Sequence, residues 1–322
     1  MTNALIVLAF MWAAPAPDDA TVPKMDVPNL ESLTSKEAEL VQTVRRFDLQ
    51  QKALADWDRR LADYHDRANE PALAKDKHRQ AEQRYAQIQT MYEQLLKRYP
   101  NNARVLNYYG EILYDYRKDI PKAIESWKMA NVFDSKLPEP LNNLGIHYCH
   151  YGEYVDGFRY FDEALKLDPD NPDFLYNVAQ NYLIYRQQAA EIKKWPVEKV
   201  YHEAMKLSKR AAELSPNSYE LVEDYAVNFF AAEEFDVKAN WREAAGAWQK
   251  ARAAAIERDQ IFFTWLNEAR AWKRDLNKDK ALECLLEARK LQPESDVVKR
   301  LLAEVNDFTA VQEPPAKPNK KK

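Results

Sequence analysis

Apolar residues recur at helical spacing along most of this chain, and the spacing changes near residue 102. Before that point they recur every seventh position, in a stripe formed by Leu40, Phe47, Leu54, Leu61 and Ala68. Residues with this spacing share one face of an α-helix, and a second stripe follows a break in the pattern at Pro71. We therefore expect residues 34–102 to form a long antiparallel helical hairpin.

After residue 102 the apolar positions describe pairs of shorter amphipathic helices. The pair from Pro138 to Asn171 is free of insertions. Its first helix is expected to end at Gly152, because glycine tolerates the left-handed turn that follows many helices. Small Gly145 and Gly157 lie where the two helix backbones would approach each other, and Phe161 fills the space beside them.

A similar proline-containing ending recurs along the chain. Four segments close with the similar endings RYPNN, LDPDN, LSPNS and LQPES, around Pro100, Pro169, Pro216 and Pro293. The intervals between these prolines fit two, one and two repeats of the length of the Pro138 to Asn171 pair, with short insertions. About five helix pairs are therefore predicted within residues 103–307.

Two details of this array are expected to depart from a plain repeat. The first helix of the third pair is predicted to run on through Arg186–Lys194, before Trp195-Pro196 breaks it. A capping helix is predicted at the end of the array, from an apolar face that carries Val297, Leu301, Leu302 and Val305.

The uninterrupted pair resembles the tetratricopeptide repeat (TPR), whose pattern is W-x2-L-G-x2-Y, A-x3-F and P. Gly145 and Tyr148 match this pattern, whereas Leu141 stands at the tryptophan position and Gly157 at the alanine position. The resemblance implies an all-α fold: a right-handed α-solenoid of about five TPR helix pairs, preceded by the helical hairpin and ended by the capping helix. It also implies a non-catalytic scaffold or adaptor that binds a protein or peptide.

The resemblance further implies where a ligand would bind. In tetratricopeptide solenoids the first helices of successive repeats line a concave groove that holds peptides or partner helices. Carried onto this sequence, those positions predict a binding face formed by Asn107, Glu111, Tyr114, Asn142, Asn143, Ile146, His150, Tyr176, Asn177, Gln180, Glu223, Val227, Arg270 and Lys273. Asparagine suits such a groove because its amide both donates to and accepts from a peptide backbone.

Charge along the chain is nearly balanced, with a net charge of -4. A nucleic-acid partner is not predicted, because the sequence has no basic stripe outside the tail. The expected groove is acidic in its middle, at Glu139, Asp173, Glu220 and Glu223, and basic at its far end, at Arg270, Lys273 and Arg274. A ligand with a basic segment would be steered to the middle, and the attraction would weaken with salt.

Signals of catalysis are sparse. The sequence lacks the phosphate-cradling patterns G-x-x-x-x-G-K-[ST] and G-x-G-x-x-G, the zinc-protease pattern H-E-x-x-H and the nucleophile elbow G-x-S-x-G. His147 and His150 are three apart on a helix and could face a metal ion with Cys149 nearby, yet no second ligand pair follows at a suitable spacing. We predict no enzyme activity, no cofactor, no metal site and no small-molecule substrate; the alternative is a metal-dependent enzyme that uses the two histidines.

The N-terminal residues predict export. The segment from Ala4 to Ala14 is apolar and uncharged but too short to span a bilayer, and Ala14-Pro15-Ala16 offers a cleavage site. Residues 1–16 are therefore expected to be the signal peptide of a periplasmic or secreted protein, and membrane association through an uncleaved segment is the alternative. Residues 17–33 are predicted to be a proline-containing linker, and residues 308–322 a disordered basic tail.

The hairpin leaves a second functional hypothesis open. Surplus apolar surface such as Trp57 could make a homodimer contact, and the chain would then be an oligomeric structural or envelope-assembly factor. If the hairpin instead buries its stripes within one chain, it would serve as an N-terminal cap for the repeats.

Overall fold

The computed structural model describes residue 28 and residues 36–307, and every regular element within them is helical. The all-α prediction is therefore confirmed for this part of the chain. The predicted signal peptide (1–16), the predicted linker (17–33) apart from residue 28, and the predicted basic tail (308–322) lie outside the described residues. The chain divides into two compact units, Met1–Asn143 and Leu144–Lys322, which we call unit 1 and unit 2.

Unit 1 contains the hairpin and the first helix pair. Its helices are α1 (Glu37–Arg67), α2 (Pro71–Arg98), α3 (Ala103–Ile112), α4 (Ile120–Phe133) and the beginning of α5 (Glu139–His150). A π-helical turn, Leu113–Arg117, continues α3. The Trp127 ring of α4 lies directly over Gly110 of α3, and its Nε1 donates to the Asn107 carbonyl oxygen at 3.3 Å. In this helix pair, a large residue of α4 therefore packs against a small residue of α3.

Helices α1 and α2 lie along each other in opposite directions. Leu40 and Phe47 of the α1 heptad stripe are fully buried. The Tyr92 hydroxyl donates to Asp48 Oδ2 (2.7 Å), and Arg84 Nε donates to Asp58 Oδ2 (2.7 Å). Because earlier residues of α1 meet later residues of α2, the two helices are antiparallel.

Unit 2 begins within α5 and continues with the remaining helix pairs. Its helices are α6 (Tyr154–Leu167), α7 (Pro172–Ile184), α8 (Arg186–Lys193), α9 (Val197–Leu214), α10 (Tyr219–Asn228), α11 (Trp241–Ala254), α12 (Arg258–Arg274), α13 (Lys278–Leu291) and α14 (Asp296–Asp307). A 3₁₀ segment, Phe229–Phe235, follows α10. The members of each pair contact each other, as α7 and α9, α10 and α11, and α12 and α13 do.

The recurring segment endings prove to be helix N-caps. Two residues after three of the prolines, Asn102, Asn171 and Ser218 accept hydrogen bonds from backbone N–H groups at the start of α3, α7 and α10. These N–H groups have no partner within their own helix, so a side-chain oxygen at this place stabilises the helix start. Each of these three endings thus separates one helix from the next and caps the start of the second.

The third helix pair differs from the sequence-based prediction. The pattern predicts a first helix that runs on through Arg186–Lys194, but α7 ends at Ile184 and α8 is a separate helix, so this prediction was wrong. Tyr185 lies between them with φ −106° and ψ 42°, outside helical geometry. Its ring contacts Tyr154, with the ring centroids 5.0 Å apart.

The C-terminal helix α14 covers the last pair. Its buried face carries Val298, Leu301 and Val305, and Lys273 of α12 forms an ion pair with Glu304 on its other side. The apolar face is thereby shielded, while charged residues of α14 meet water. Among the helices of the described residues, none is long and apolar enough to cross a membrane.

Candidate functional site

The predicted ligand residues lie on the first helix of each pair, and we call this side of the helices the first-helix face. In unit 1 it comprises α3 and the start of α5; in unit 2 it comprises the rest of α5 together with α7, α10 and α12. Some of the predicted residues are committed to internal contacts, and others remain accessible.

Asn107 does not face a ligand. It is 1% exposed, its amide nitrogen donates to Glu111 Oε1 (2.8 Å), and its amide oxygen accepts from Asn143 Nδ2 (3.1 Å). The prediction for Asn107 is corrected, because its amide stabilises the packing between α3 and α5. Asn142 is 5% exposed and is corrected for the same reason of burial, whereas Asn143 remains half-buried.

Glu111 and Tyr114 also have partners within unit 1. Arg45 of α1 forms an ion pair with the Glu111 carboxylate (3.2 Å) and lies over the Tyr108 ring, 4.0 Å from its centroid. Burial raises the pKa of Glu111 despite this nearby cation. The Tyr114 ring contacts Trp127 at 5.2 Å. Helix α1 therefore contacts the part of the face that a ligand was expected to use, which the repeat pattern alone could not reveal.

In the α5 part of unit 2, His150 is exposed, whereas Ile146 packs at the edge of the hydrophobic core. His147 is 5% exposed, and its ring contacts Tyr151 at 4.5 Å. Burial raises the pKa of the Cys149 thiol to about 12. No group of three or more potential metal ligands occurs among the described residues, so the histidine pair has no further ligand at hand there.

A buried polar network joins α7, α9 and α10. Asp224 of α10 accepts hydrogen bonds from Gln180 of α7, from the Ser208 hydroxyl of α9 (2.7 Å) and from the Asn228 amide (3.0 Å). Burial raises the pKa of Asp224 to about 6, although these hydrogen bonds favour its charged form. The sequence identified Gln180, but it missed Ser208, Asp224 and Asn228 because they converge from separate helices. Tyr176 and Asn177 lie half-buried on the same helix as Gln180.

Glu223 neighbours this network on the accessible side of α10. Burial raises its pKa to about 7, and the charges of Asp224 and Glu220 add to the shift. Within the part of the chain that the structure describes, no ion pair involves the Glu223 carboxylate. Val227, one turn further along α10, is 38% exposed. A half-buried carboxylate without a counter-ion thus stands beside accessible apolar surface.

Arg270 of α12 is a half-buried cation on the first-helix face, as Glu223 is a half-buried carboxylate on it. Its Nη1 donates to Asn267 Oδ1 (2.8 Å), and burial together with the charges of Arg274 and Arg300 lowers its pKa. Lys273 is already paired with Glu304, and Arg274 lies over the rings of Phe230 (5.1 Å) and Trp241 (5.0 Å). Over the described residues, Arg270 forms no ion pair, although the charge of Glu304, which pairs with Lys273, acts against the effect of the neighbouring cations. The Arg270 charge is opposed by neighbouring cations and partly removed from water.

Comparison with other proteins gives limited similarity. No protein-family model matches the chain. The photosystem I assembly protein Ycf3 of Rippkaea orientalis is 28% identical over 120 residues, which cover 32% of this chain and 67% of that protein.

Among solved structures, similarity extends over most of the chain at low identity. A TPR protein with an unusual peptide-binding site, YrrB, has a TM-score of 0.48 and 17% identity, covering 65% of this chain and 96% of its own. The type IV pilus biogenesis factor PilW has a TM-score of 0.48 and 20% identity, covering 77% and 98%. PilF of Pseudomonas aeruginosa has a TM-score of 0.49 and 17% identity, covering 79% and 99%.

The packing within the helix pairs resembles a known repeat pattern. Successive pairs of short helices recur after residue 102, and in two pairs an aromatic ring of the second helix lies over a glycine of the first, as Trp127 does over Gly110 and Phe161 over Gly145. These are the small and large positions of the tetratricopeptide pattern. The helix pairs of this chain thus share the packing of small against large residues that is typical of tetratricopeptide repeats.

Proposed function

We propose that the chain is a non-catalytic adaptor that binds a segment of a partner protein along the first-helix face of unit 2. The observation that supports this proposal most is that two half-buried charged residues, Glu223 on α10 and Arg270 on α12, form no ion pair within the described residues. A charge that is partly withdrawn from water and lacks a partner is energetically unfavourable. A ligand that supplies the opposite charge relieves this cost, so the two residues favour a bound segment over an empty face.

The charges also indicate the chemistry of the ligand. A cationic side chain suits Glu223, and an anionic side chain suits Arg270. A segment that carries both charges would therefore contact Glu223 of α10 with its cation and Arg270 of α12 with its anion. Val227 offers apolar contact one turn from Glu223 on α10, and Tyr176 and Asn177 of α7 offer further polar groups.

Affinity capture with the full chain tests this proposal. Immobilised wild-type chain and the double variant Glu223→Gln/Arg270→Gln are exposed to the same extract of source cells, and retained proteins are compared by mass spectrometry. We expect at least one protein to be retained by the wild type and lost with the double variant. Identical retention by the two chains contradicts the use of this face.

The alternative, self-association through the hairpin, rests on different residues. Leu49 and Leu73 of α1 and α2 are 54% and 51% exposed. The predicted contact residue Trp57 is half-buried, and most of the heptad stripe is buried within the chain. Light scattering of the full chain and of Leu49→Glu/Leu73→Glu separates the two functions: a wild-type dimer that the substitutions dissociate favours self-association, and a monomer in both cases excludes it.

Export is part of the same proposal and has its own test. An adaptor of this kind acts outside the cytoplasm if the segment before residue 17 is removed during secretion. N-terminal sequencing of the protein recovered from its source cells is expected to begin at Pro17. A sequence that begins at or near residue 1 contradicts cleavage and leaves the uncleaved membrane-associated form.

A further inference from the structure

A second groove lies in unit 2, away from the residues of the first-helix face discussed above. It has a volume of about 690 Å³ and lies between α9, the end of α10 and the connection that leads to α11. Tyr201 and Met205 of α9, Phe229 at the end of α10, and Val237 of the connection contribute apolar surface to it. The groove therefore combines an apolar floor with access from solvent.

The groove exists because the third and fourth helix pairs are longer than the uninterrupted pair. Helix α9 has 18 residues, whereas α6, α11 and α13 have 14. The connection between α10 and α11 contains the 3₁₀ segment Phe229–Phe235 and the stretch up to Asn240, whereas α5 and α6, and α12 and α13, are joined by short turns. Phe235 is 4% exposed and its ring contacts Tyr201 at 5.4 Å, so the inserted residues are anchored to α9.

The residues that follow Phe235 in the connection also have a defined conformation. Asp236 adopts a left-handed φ of 54°, and the Val237 backbone N–H donates to the Ala232 carbonyl oxygen at 3.0 Å. This turn directs Val237 to Asn240 alongside α9. The inserted residues therefore form a fixed side of the groove.

Cations dominate the rim. The cations Lys206, Lys209, Arg210 and Lys238 line the groove together with only two acids, Glu213 and Glu243. Glu243 is already occupied, because Lys209 pairs with it (2.9 Å) and the Tyr225 hydroxyl donates to it (2.8 Å).

Two rim cations remain available. The side chain of Lys206 is 77% exposed, and the Glu203 carboxylate stands 3.9 Å away, which is a weak contact in water. Lys238 is exposed, and no ion pair involves it among residues 36–307. These lysines lie on opposite sides of the groove, one on α9 and one on the connection.

We propose that this groove binds an acidic peptide segment of a partner protein, with one bulky apolar side chain seated on the floor between Tyr201, Met205 and Phe229. Carboxylates on either side of that anchor would meet Lys206 and Lys238. The buried apolar anchor supplies most of the affinity in such an arrangement, and the rim charges supply selectivity and a dependence on salt. The site shares no residue with the Glu223 and Arg270 pair, so it does not rest on the function proposed above.

Selection from a display library of random peptides tests the proposal even while the natural partner is unidentified. The target is the full chain carrying Glu223→Gln and Arg270→Gln, so that ligands of the first-helix face are not enriched. We expect the selected peptides to share at least two acidic residues around one aromatic or large aliphatic residue. Enrichment of basic peptides, or of none, overturns the proposal.

Titration then locates the binding site. The dissociation constant of a selected peptide, measured by fluorescence anisotropy, is expected to rise about tenfold or more with Lys206→Glu/Lys238→Glu. It is expected to stay within about twofold with the matched control Lys75→Glu/Lys166→Glu, which reverses two exposed lysines that do not line the groove. Thermal unfolding by circular dichroism verifies that both variants are folded. Equal effects of the two double variants overturn the assignment, as does a dissociation constant that the groove substitutions leave unchanged.

Discussion

Gly145 lies against the Phe161 ring so closely that a Cβ atom on the glycine would stand 2.6 Å from the ring carbon Cδ1. The phenylalanine is fully buried, so the ring has little room to move away. This contact sets the spacing between α5 and α6 in the uninterrupted helix pair. It also explains why a residue with poor helix propensity occupies the middle of α5.

Gly145→Ala is therefore expected to destabilise the chain by about 1–3 kcal/mol, because the added methyl group overpacks the contact with Phe161. Gly246 is a matched control: it lies within α11, and a Cβ there would meet nothing within 4 Å. Gly246→Ala is expected to stabilise by about 0.5–1 kcal/mol through helix propensity. Urea unfolding followed by circular dichroism measures both, and a neutral or stabilising Gly145→Ala would refute the close approach.

The buried ion pair between α11 and α12 gives a second prediction. Arg252 Nη1 lies 2.6 Å from Glu268 Oε2, and the Glu268 side chain is 3% exposed. Glu268 also accepts from Gln249 (2.6 Å) and from Trp272 Nε1 (3.1 Å). Glu268→Ala leaves the arginine partly buried without its partner and is expected to cost about 3–5 kcal/mol in the free energy of unfolding.

An exposed ion pair serves as the control for this measurement. Arg159 pairs with Glu163 at 2.9 Å, and both side chains are nearly half exposed. Arg159→Ala is expected to change the free energy of unfolding by at most about 1 kcal/mol. Similar effects of Glu268→Ala and Arg159→Ala would mean that the interior pair contributes no more than a surface pair.

Asp224 makes the stability of the chain depend on pH. Burial raises its pKa from 3.8 to about 6, so between these values the native state binds a proton that the unfolded chain releases. The stabilisation is fully present below pH 3.8 and is lost as the pH rises through about 6. The difference between the two pKa values corresponds to at most about 3 kcal/mol in the free energy of unfolding. Urea unfolding at pH values from 4 to 7 is expected to show this loss, and Asp224→Asn is expected to show a smaller one, because Glu223, with its pKa raised to about 7, still contributes in the same direction. Equal pH profiles of the two chains would contradict the burial of the Asp224 carboxylate.

The sequence predicted the helix pairs well because their determinants are local. Gly145 and Phe161 belong to one repeat, and Asn171 caps the helix that begins immediately after it. The candidate site was less predictable because contacts distant in sequence decide which residues are accessible. Arg45 on the hairpin reaches Glu111 on α3, and Asp224 gathers partners from α7 and α9. No periodic pattern records such pairings.

Binding at the first-helix face is expected to depend on pH through Glu223. Its pKa lies at about 7, so the carboxylate becomes predominantly charged as the pH rises from 6 to 8. A ligand that places a cation against Glu223 is expected to bind several-fold more tightly at pH 8 than at pH 6. Calorimetric titration at the two pH values checks this, and Glu223→Gln is expected to remove the difference. An affinity that is equal at both pH values in the wild type would show that the ligand does not contact this carboxylate.

The most direct test of the central claim is the dissociation constant of the captured partner segment for four chains: wild type, Glu223→Gln, Arg270→Gln and the control Glu163→Gln. A hydrogen-bonded charge pair contributes about 1.5–3 kcal/mol, so each of the two substitutions on the face is expected to weaken binding about tenfold or more. The control, on the second helix α6, is expected to bind like the wild type, and added salt is expected to weaken wild-type binding. Dissociation constants that agree within about twofold for all four chains, at low and high salt alike, would contradict the account.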